Sequence, residues 1–202
     1  LNGVARVITD TEFINVAILN GKGSVNLTGL NANEDGFLFH VEFEETENYD
    51  DKTVEFTVIV HKADVTVSCD YVTVFYPAGG VITVTASVPG EYKVVVGDKE
   101  YTANIATAGG SAEVSVATLD EGLYNITISG SESANYKAVE RNFTNFYTVY
   151  PGTIEIGYAV SDVTYPNQGT ITISASVAGV YTVEVGGKQY TANIATAGGF
   201  AN

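Results

Sequence analysis

Few side chains in this sequence are of types that make or break bonds, and their spacing decides what they could do. His40 and His61 are its two histidines. A histidine metal site or catalytic pair needs further ligands at fixed spacing. Neither histidine has them, and both read as exposed strand residues. Cys69 is the single cysteine. It lies in the alternating run Val65-x-Val67-x-Cys69, where a small core hydrophobe with no disulfide is expected. No Ser-His-Asp order, no phosphate-cradling glycine loop leading into a helix and no Cys-His set is present. The chain therefore reads as non-catalytic.

Oxygen ligands are the remaining chemistry. Asn33-Glu34-Asp35, Glu42-Glu44-Glu45-Glu47, Asp50-Asp51 and Asp120-Glu121 could attract calcium, which takes several carboxylate and carbonyl oxygens. EF-hand spacing is missing, so solvated acidic faces are favoured, calcium is the one cofactor considered, and none is expected. Three Asn-x-Thr sequons, at Asn26, Asn125 and Asn142, are candidate N-glycosylation acceptors. With Leu27, Ile126 and Phe143 pointing inward along strands, the three asparagines should point outward. Lys99 and its counterpart Lys188 sit in a strand that reads as exposed, so an intramolecular Lys–Asn crosslink is not expected.

The elements that would position these residues are repeated. Tyr101–Gly110, YTANIATAGG, returns unchanged at Tyr190–Gly199, an offset of 89 residues. Without gaps, Tyr76-Pro77 then falls on Tyr165-Pro166, Gly90 on Gly179 and Tyr92 on Tyr181. A second offset, of 87 residues, lays Gly3 on Gly90, Ile18 on Ile105 and Asn48-Tyr49 on Asn135-Tyr136. A fixed period of this size signals an array. The boundaries expected are 1–62 for a partial module, 63–150 for a complete one and 151–202 for a second partial one. This phase suggests a segment of a longer tandem protein.

Within the complete module, Val81–Val88 alternates most clearly, with Ile82, Val84, Ala86 and Val88 on one face. Tyr92, Val94 and Val96 line the next strand, and Lys99–Ile105 the one after. Ala112, Val114 and Val116 follow, then Tyr124, Ile126 and Ile128, then a long strand over about Val139–Val149. Asp64–Tyr71 and Val72–Tyr76 alternate ahead of them. No stretch has helical period. Short strands at ~10-residue spacing with turn signals between them predict an all-β fold of antiparallel sandwiches. Leu119-Asp-Glu-Gly-Leu-Tyr124 has the spacing of a tyrosine corner, in which the phenol of Tyr124 bonds back to nearby backbone. In the first module the aligned residue is Phe37, which has no hydroxyl.

Gly90-Glu-Tyr-Lys-Val-Val-Val, Lys99-Glu-Tyr-Thr-Ala, Leu119-Asp-Glu-Gly-Leu-Tyr-Asn-Ile-Thr and Ser133-Ala-Asn-Tyr136 resemble the bacterial-type immunoglobulin-like (Big) repeats of archaeal and bacterial adhesin-like surface proteins. The resemblance covers all three modules. It implies tandem immunoglobulin-like modules, an extracellular cell-surface location and a stalk or adhesive role without catalytic residues.

Charge narrows the partners. The net charge is −15, which argues against nucleic acid and anionic membrane surfaces. No run of 18 apolar residues exists, so no membrane span is expected in this segment. The partners expected are neighbouring modules of the same chain, other copies in a fibre, and a surface ligand on a host or partner cell. The short junctions His61-Lys62 and Tyr150-Pro151-Gly152 favour a rod of modules. Two other roles fit the same residues: a subunit of a filament assembled by strand pairing, and accessory modules of a secreted polysaccharide-active enzyme.

Overall fold

The computed structural model describes residues 3–8 and 13–202; residues 1–2 and 9–12, which fall in the first partial module, lie outside the described residues. All described regular elements are β-strands. By its contacts the chain divides into two units, Leu1–Val74 with Ala78–Val149 and Phe75–Pro77 with Tyr150–Asn202.

The first unit begins with β1 (Gly3–Ile8), β2 (Phe13–Ile18), β3 (Asn33–Phe43) and β4 (Lys52–Val60). They form one antiparallel sheet in the order β2-β1-β3-β4. Val7, Val16 and Phe39 are its buried centre, and Val25, Leu27 and Leu30 pack against it from an irregular segment. That segment alternates like a strand but forms no ladder. A strand exists only beside a partner that takes its N–H and C=O groups, and none lies beside it among the described residues.

The same unit continues with β5 (Val67–Cys69), β6 (Val72–Phe75), β7 (Gly80–Ala86), β8 (Gly90–Val96), β9 (Lys99–Ile105), β10 (Ser111–Val116), β11 (Gly122–Gly130) and β12 (Val139–Tyr150), save that Phe75 and Tyr150, the last residues of β6 and β12, fall in the second unit. Two sheets result, β10-β7-β5 and β6-β12-β11-β8-β9. Their inward side chains share one core, in which Ile82, Val84, Val94, Val96, Ile126, Ile128 and Tyr147 are fully buried. This is a β-sandwich built on alternation, in which most strands give one face to the core and the other to water, while β12 buries the consecutive residues Tyr147, Thr148 and Val149.

The opening run 64–76 departs from two plain strands. β5 pairs with β7, whereas β6 borders β12 in the opposite sheet, so the chain changes sheets at Asp70-Tyr71. Tyr71 follows the crossing, and its phenol shares a 2.7 Å hydrogen bond with the buried hydroxyl of Thr148. The long strand β12 also departs from regularity. Pairing with β11 slips between Tyr124 and Ile126, and Asn145 takes a left-handed φ of 57°. The Asn125 carboxamide oxygen accepts the Asn145 N–H at 2.9 Å and holds this bulge.

The second unit holds β13 (Ile156–Val160), β14 (Ile171–Ala175), β15 (Gly179–Val185), β16 (Lys188–Ile194) and β17 (Phe200–Ala201). Its sheets are β13-β14-β17 and β15-β16, around a small core of Ile173, Ala175, Ala192 and Ile194.

Equal sequence offsets give equal registers. Gly90 pairs with Ile105, as Gly179 pairs with Ile194 and Gly3 with Ile18. Val67 pairs with Ala86, as Ile156 pairs with Ala175. Arg6 faces Glu42 as Lys93 faces Ser129. The order β2-β1-β3-β4 thus repeats as β9-β8-β11-β12.

The repeated decapeptide makes the same turn twice. Gly110 N donates to Thr107 O at 2.9 Å, and Gly199 N donates to Thr196 O at 2.9 Å. Gly109 and Gly198 have φ of 70° and 71°, where a side chain is strained. A Cβ on Gly110 would come within 2.7 Å of Thr107 Oγ1 and 2.8 Å of its carbonyl oxygen. Gly110→Ala should therefore lower unfolding free energy by about 1–3 kcal/mol. Urea unfolding checks this, with the expected drop in midpoint at unchanged m value.

Candidate functional site

The residues singled out for chemistry are placed apart. His40 Nδ1 lies 3.2 Å from Glu55 Oε1 across the β3–β4 ladder. His61 lies just past the end of β4, not within a strand, with Nδ1 2.7 Å from Glu34 Oε2. Each histidine thus faces one carboxylate. No cluster of three or more His, Cys, Asp or Glu that could hold a metal occurs among the described residues. Glu44 is engaged by Arg6 Nη2 at 2.8 Å. Lys99 is about half exposed, 3.6 Å from Asp98.

Cys69 is a free thiol, half-buried against the larger core. Burial and then the neighbouring Asp70 carboxylate push its pKa up to about 11, against a smaller opposing effect of Arg141. The thiolate is the reactive form, so the folded thiol is quiet at neutral pH.

Of the sequon asparagines, Asn125 and Asn142 lie exposed on adjacent strands, with Thr127 directly opposite Asn142. The bond from Asn145 uses the Asn125 oxygen, not the nitrogen that would carry a glycan. Asn26 is exposed too, but in the irregular segment instead of a strand.

Tyr124 Oη donates to the Asp120 carbonyl at 2.9 Å. Two further tyrosines make the same bond four residues back: Tyr92 to Val88 and Tyr181 to Val177, both at 2.7 Å. Each of the three follows a Gly-x step, Gly90-Glu, Gly122-Leu and Gly179-Val. The phenol ring folds back past that glycine; a Cβ there would sit 3.4 to 3.9 Å from the ring of its tyrosine. Gly-x-Tyr at a strand start was the available signal for all three, and the corner spacing pointed to Tyr124 alone.

Among the described residues, a set of polar contacts gathers where the loop between β11 and β12 meets the segment that precedes β3, inside the first unit. The loop between β11 and β12 makes a tight turn, with Ser133 N donating to Tyr136 O at 2.9 Å. The turn presents Asn135 as a fork. Its side-chain oxygen accepts the Ala32 N–H at 2.8 Å, and its Nδ2 donates to Asn31 Oδ1 at 3.0 Å. Its carbonyl accepts Ala63 N at 2.9 Å, while Lys137 N donates to Ala63 O at 3.0 Å. A carboxamide suits this place because it carries acceptor and donor together.

Charges flank the fork. Lys62 Nζ bonds Glu132 Oε1, and Lys137 Nζ bonds Asp64 Oδ1 at 2.9 Å. Glu34 accepts from His61 and from Lys62 N, and the His61 bond is the largest cause holding its carboxyl below the usual range. The Asp64 bond likewise holds Lys137 above the usual lysine range. Apart from the partly buried Lys62, these groups are exposed and screened, so they set orientation more than stability. The arrangement can seat the loop between β11 and β12 on the segment that precedes β3.

Two measurements check these assignments. Tyr124→Phe and Tyr92→Phe should each lower unfolding free energy by about 1 kcal/mol, one net hydrogen bond, read from denaturant midpoints. Iodoacetamide should modify Cys69 slowly at pH 8 in the folded chain and fast in urea, with the folded rate rising toward pH 11. Because the folded pKa is raised, the thiol's contribution to stability is complete below its ordinary value of 9 and is lost as pH climbs toward 11.

No protein-family model matches this chain, and no curated protein or solved structure matches it.

Proposed function

We propose that this chain is a non-catalytic structural and adhesive segment of an extracellular surface protein. Immunoglobulin-like modules over 1–62, 63–150 and 151–202 follow one another and serve reach and contact, not turnover. The observation that carries this reading is the Asn135 fork: a loop of one module gives both ends of its carboxamide to the module before it. A chain whose repeats merely shared ancestry would have no need of that joint. The equal strand registers at offsets of 87 and 89 residues support the same reading. So does the net charge of −15, which keeps such chains apart in solution.

In this role Asn26, Asn125 and Asn142 carry glycans on the outward faces of their modules. Their exposure supports this, since an N-glycan must stay in solvent.

Antibodies raised against the purified chain test the location. They should label intact, unpermeabilised source cells, and mild surface proteolysis should remove the label. Labelling seen only after permeabilisation would overturn the proposal. Peptide mass spectrometry of native material should find hexose-bearing peptides containing at least one of the three sequon asparagines.

A further inference from the structure

The loop that seats the second module on the first has a twin in the first module itself. Glu132-Ser-Ala-Asn-Tyr-Lys137 aligns with Glu45-Thr-Glu-Asn-Tyr-Asp50, sharing Glu, a hydroxyl residue, Asn and Tyr in order. Both loops join equivalent strands, β11 to β12 and β3 to β4. Both make the same turn: Thr46 N donates to Tyr49 O at 2.8 Å, as Ser133 N does to Tyr136 O at 2.9 Å.

Their surroundings differ. Asn135 and Tyr136 are half-buried, Asn135 against the preceding module, whereas Asn48 is exposed and Tyr49 is 59% exposed. Beside the bare loop lies a shallow hollow of about 430 Å³, lined among others by Gly3, Val4, Phe43, Asn48 and Tyr49.

We infer that Thr46–Asp50 is a docking loop, and that its partner is the end of another β-sandwich module of this kind. This rests on the reading of the chain as joined modules. The seated loop defines the partner's chemistry. Asn48 would fork onto a backbone N–H and a carboxamide, as Asn135 forks onto Ala32 and Asn31. Glu45, at the position of Glu132, would take a cation placed as Lys62 is. A module end shaped like that of Asn31, Ala32 and Lys62 supplies all three. The loop is more acidic than its twin, with Glu47 and Asp50 where Ala134 and Lys137 stand. That excess charge selects a basic module end and disfavours acidic ones.

Grafting tests this in the full chain. The triple change S133T/A134E/K137D writes the Glu45–Asp50 sequence into the seated loop, and the double S133T/A134E keeps Lys137 beside Asp64. The readout is hydrogen exchange at the Ala32 amide. Asn135→Ala removes the acceptor and should speed that exchange about tenfold. At least one graft should stay within about threefold of the parent chain. If both grafts exchange as fast as Asn135→Ala, the Thr46–Asp50 sequence cannot seat a module and the inference falls, leaving the joint itself intact. If Asn135→Ala leaves the exchange unchanged, the joint carries no weight and the reading of joined modules falls with the inference.

Discussion

A sheet with one apolar face cannot stay in water, and that constraint organises everything else in this chain. The sandwich of β5 to β12 meets it by folding β10-β7-β5 over β6-β12-β11-β8-β9, so that Ile82, Val84, Val94, Val96, Ile126 and Ile128 lose all contact with solvent. No disulfide assists. Each buried Val or Ile contributes about 1.5–3 kcal/mol of transfer free energy, so the packing must be close. The tyrosine bonds and the glycine turns serve this closure. Tyr92 and Tyr124 tie strand starts back to the turns before them, and Gly110 lets the chain turn tightly against Thr107.

Much of this was legible in the sequence because period-two burial leaves a direct trace. Ile82, Val84 and Ala86, and Tyr92, Val94 and Val96, alternate in the sequence and point inward together in the structure. Lys99–Ile105 is a strand with the ends its flanking turns suggested. The repeat was legible too, and its offsets reappear as identical registers. What was not legible depends on partners far along the chain. Nothing local in Asp64–Tyr76 says that the strand changes sheets, because Tyr71 reaches a hydroxyl at Thr148, 77 residues away. The left-handed Asn145 inside β12 is held by Asn125, and an asparagine in a threonine-rich strand gives no warning of it.

The joint was hidden for a similar reason. The run Ser129–Ala134 reads in the sequence only as a polar loop, and polarity is what loops show whether or not they touch anything. The His61–Glu34 contact and the Lys62–Glu132 pair join residues that sequence spacing alone separates. In the structure they stand around one carboxamide. Short motifs do not record contacts of this kind, which lie in surfaces and ends.

Joining through the Asn135 fork is the central claim, and a double-mutant cycle on Asn31 and Asn135 tests it most directly. The two side chains, 104 residues apart in the chain, bond at 3.0 Å. Truncating both to alanine, singly and together, should give a coupling of about 1 kcal/mol in the unfolding of the first unit. A coupling of zero, with the two single effects simply additive, would contradict the claim.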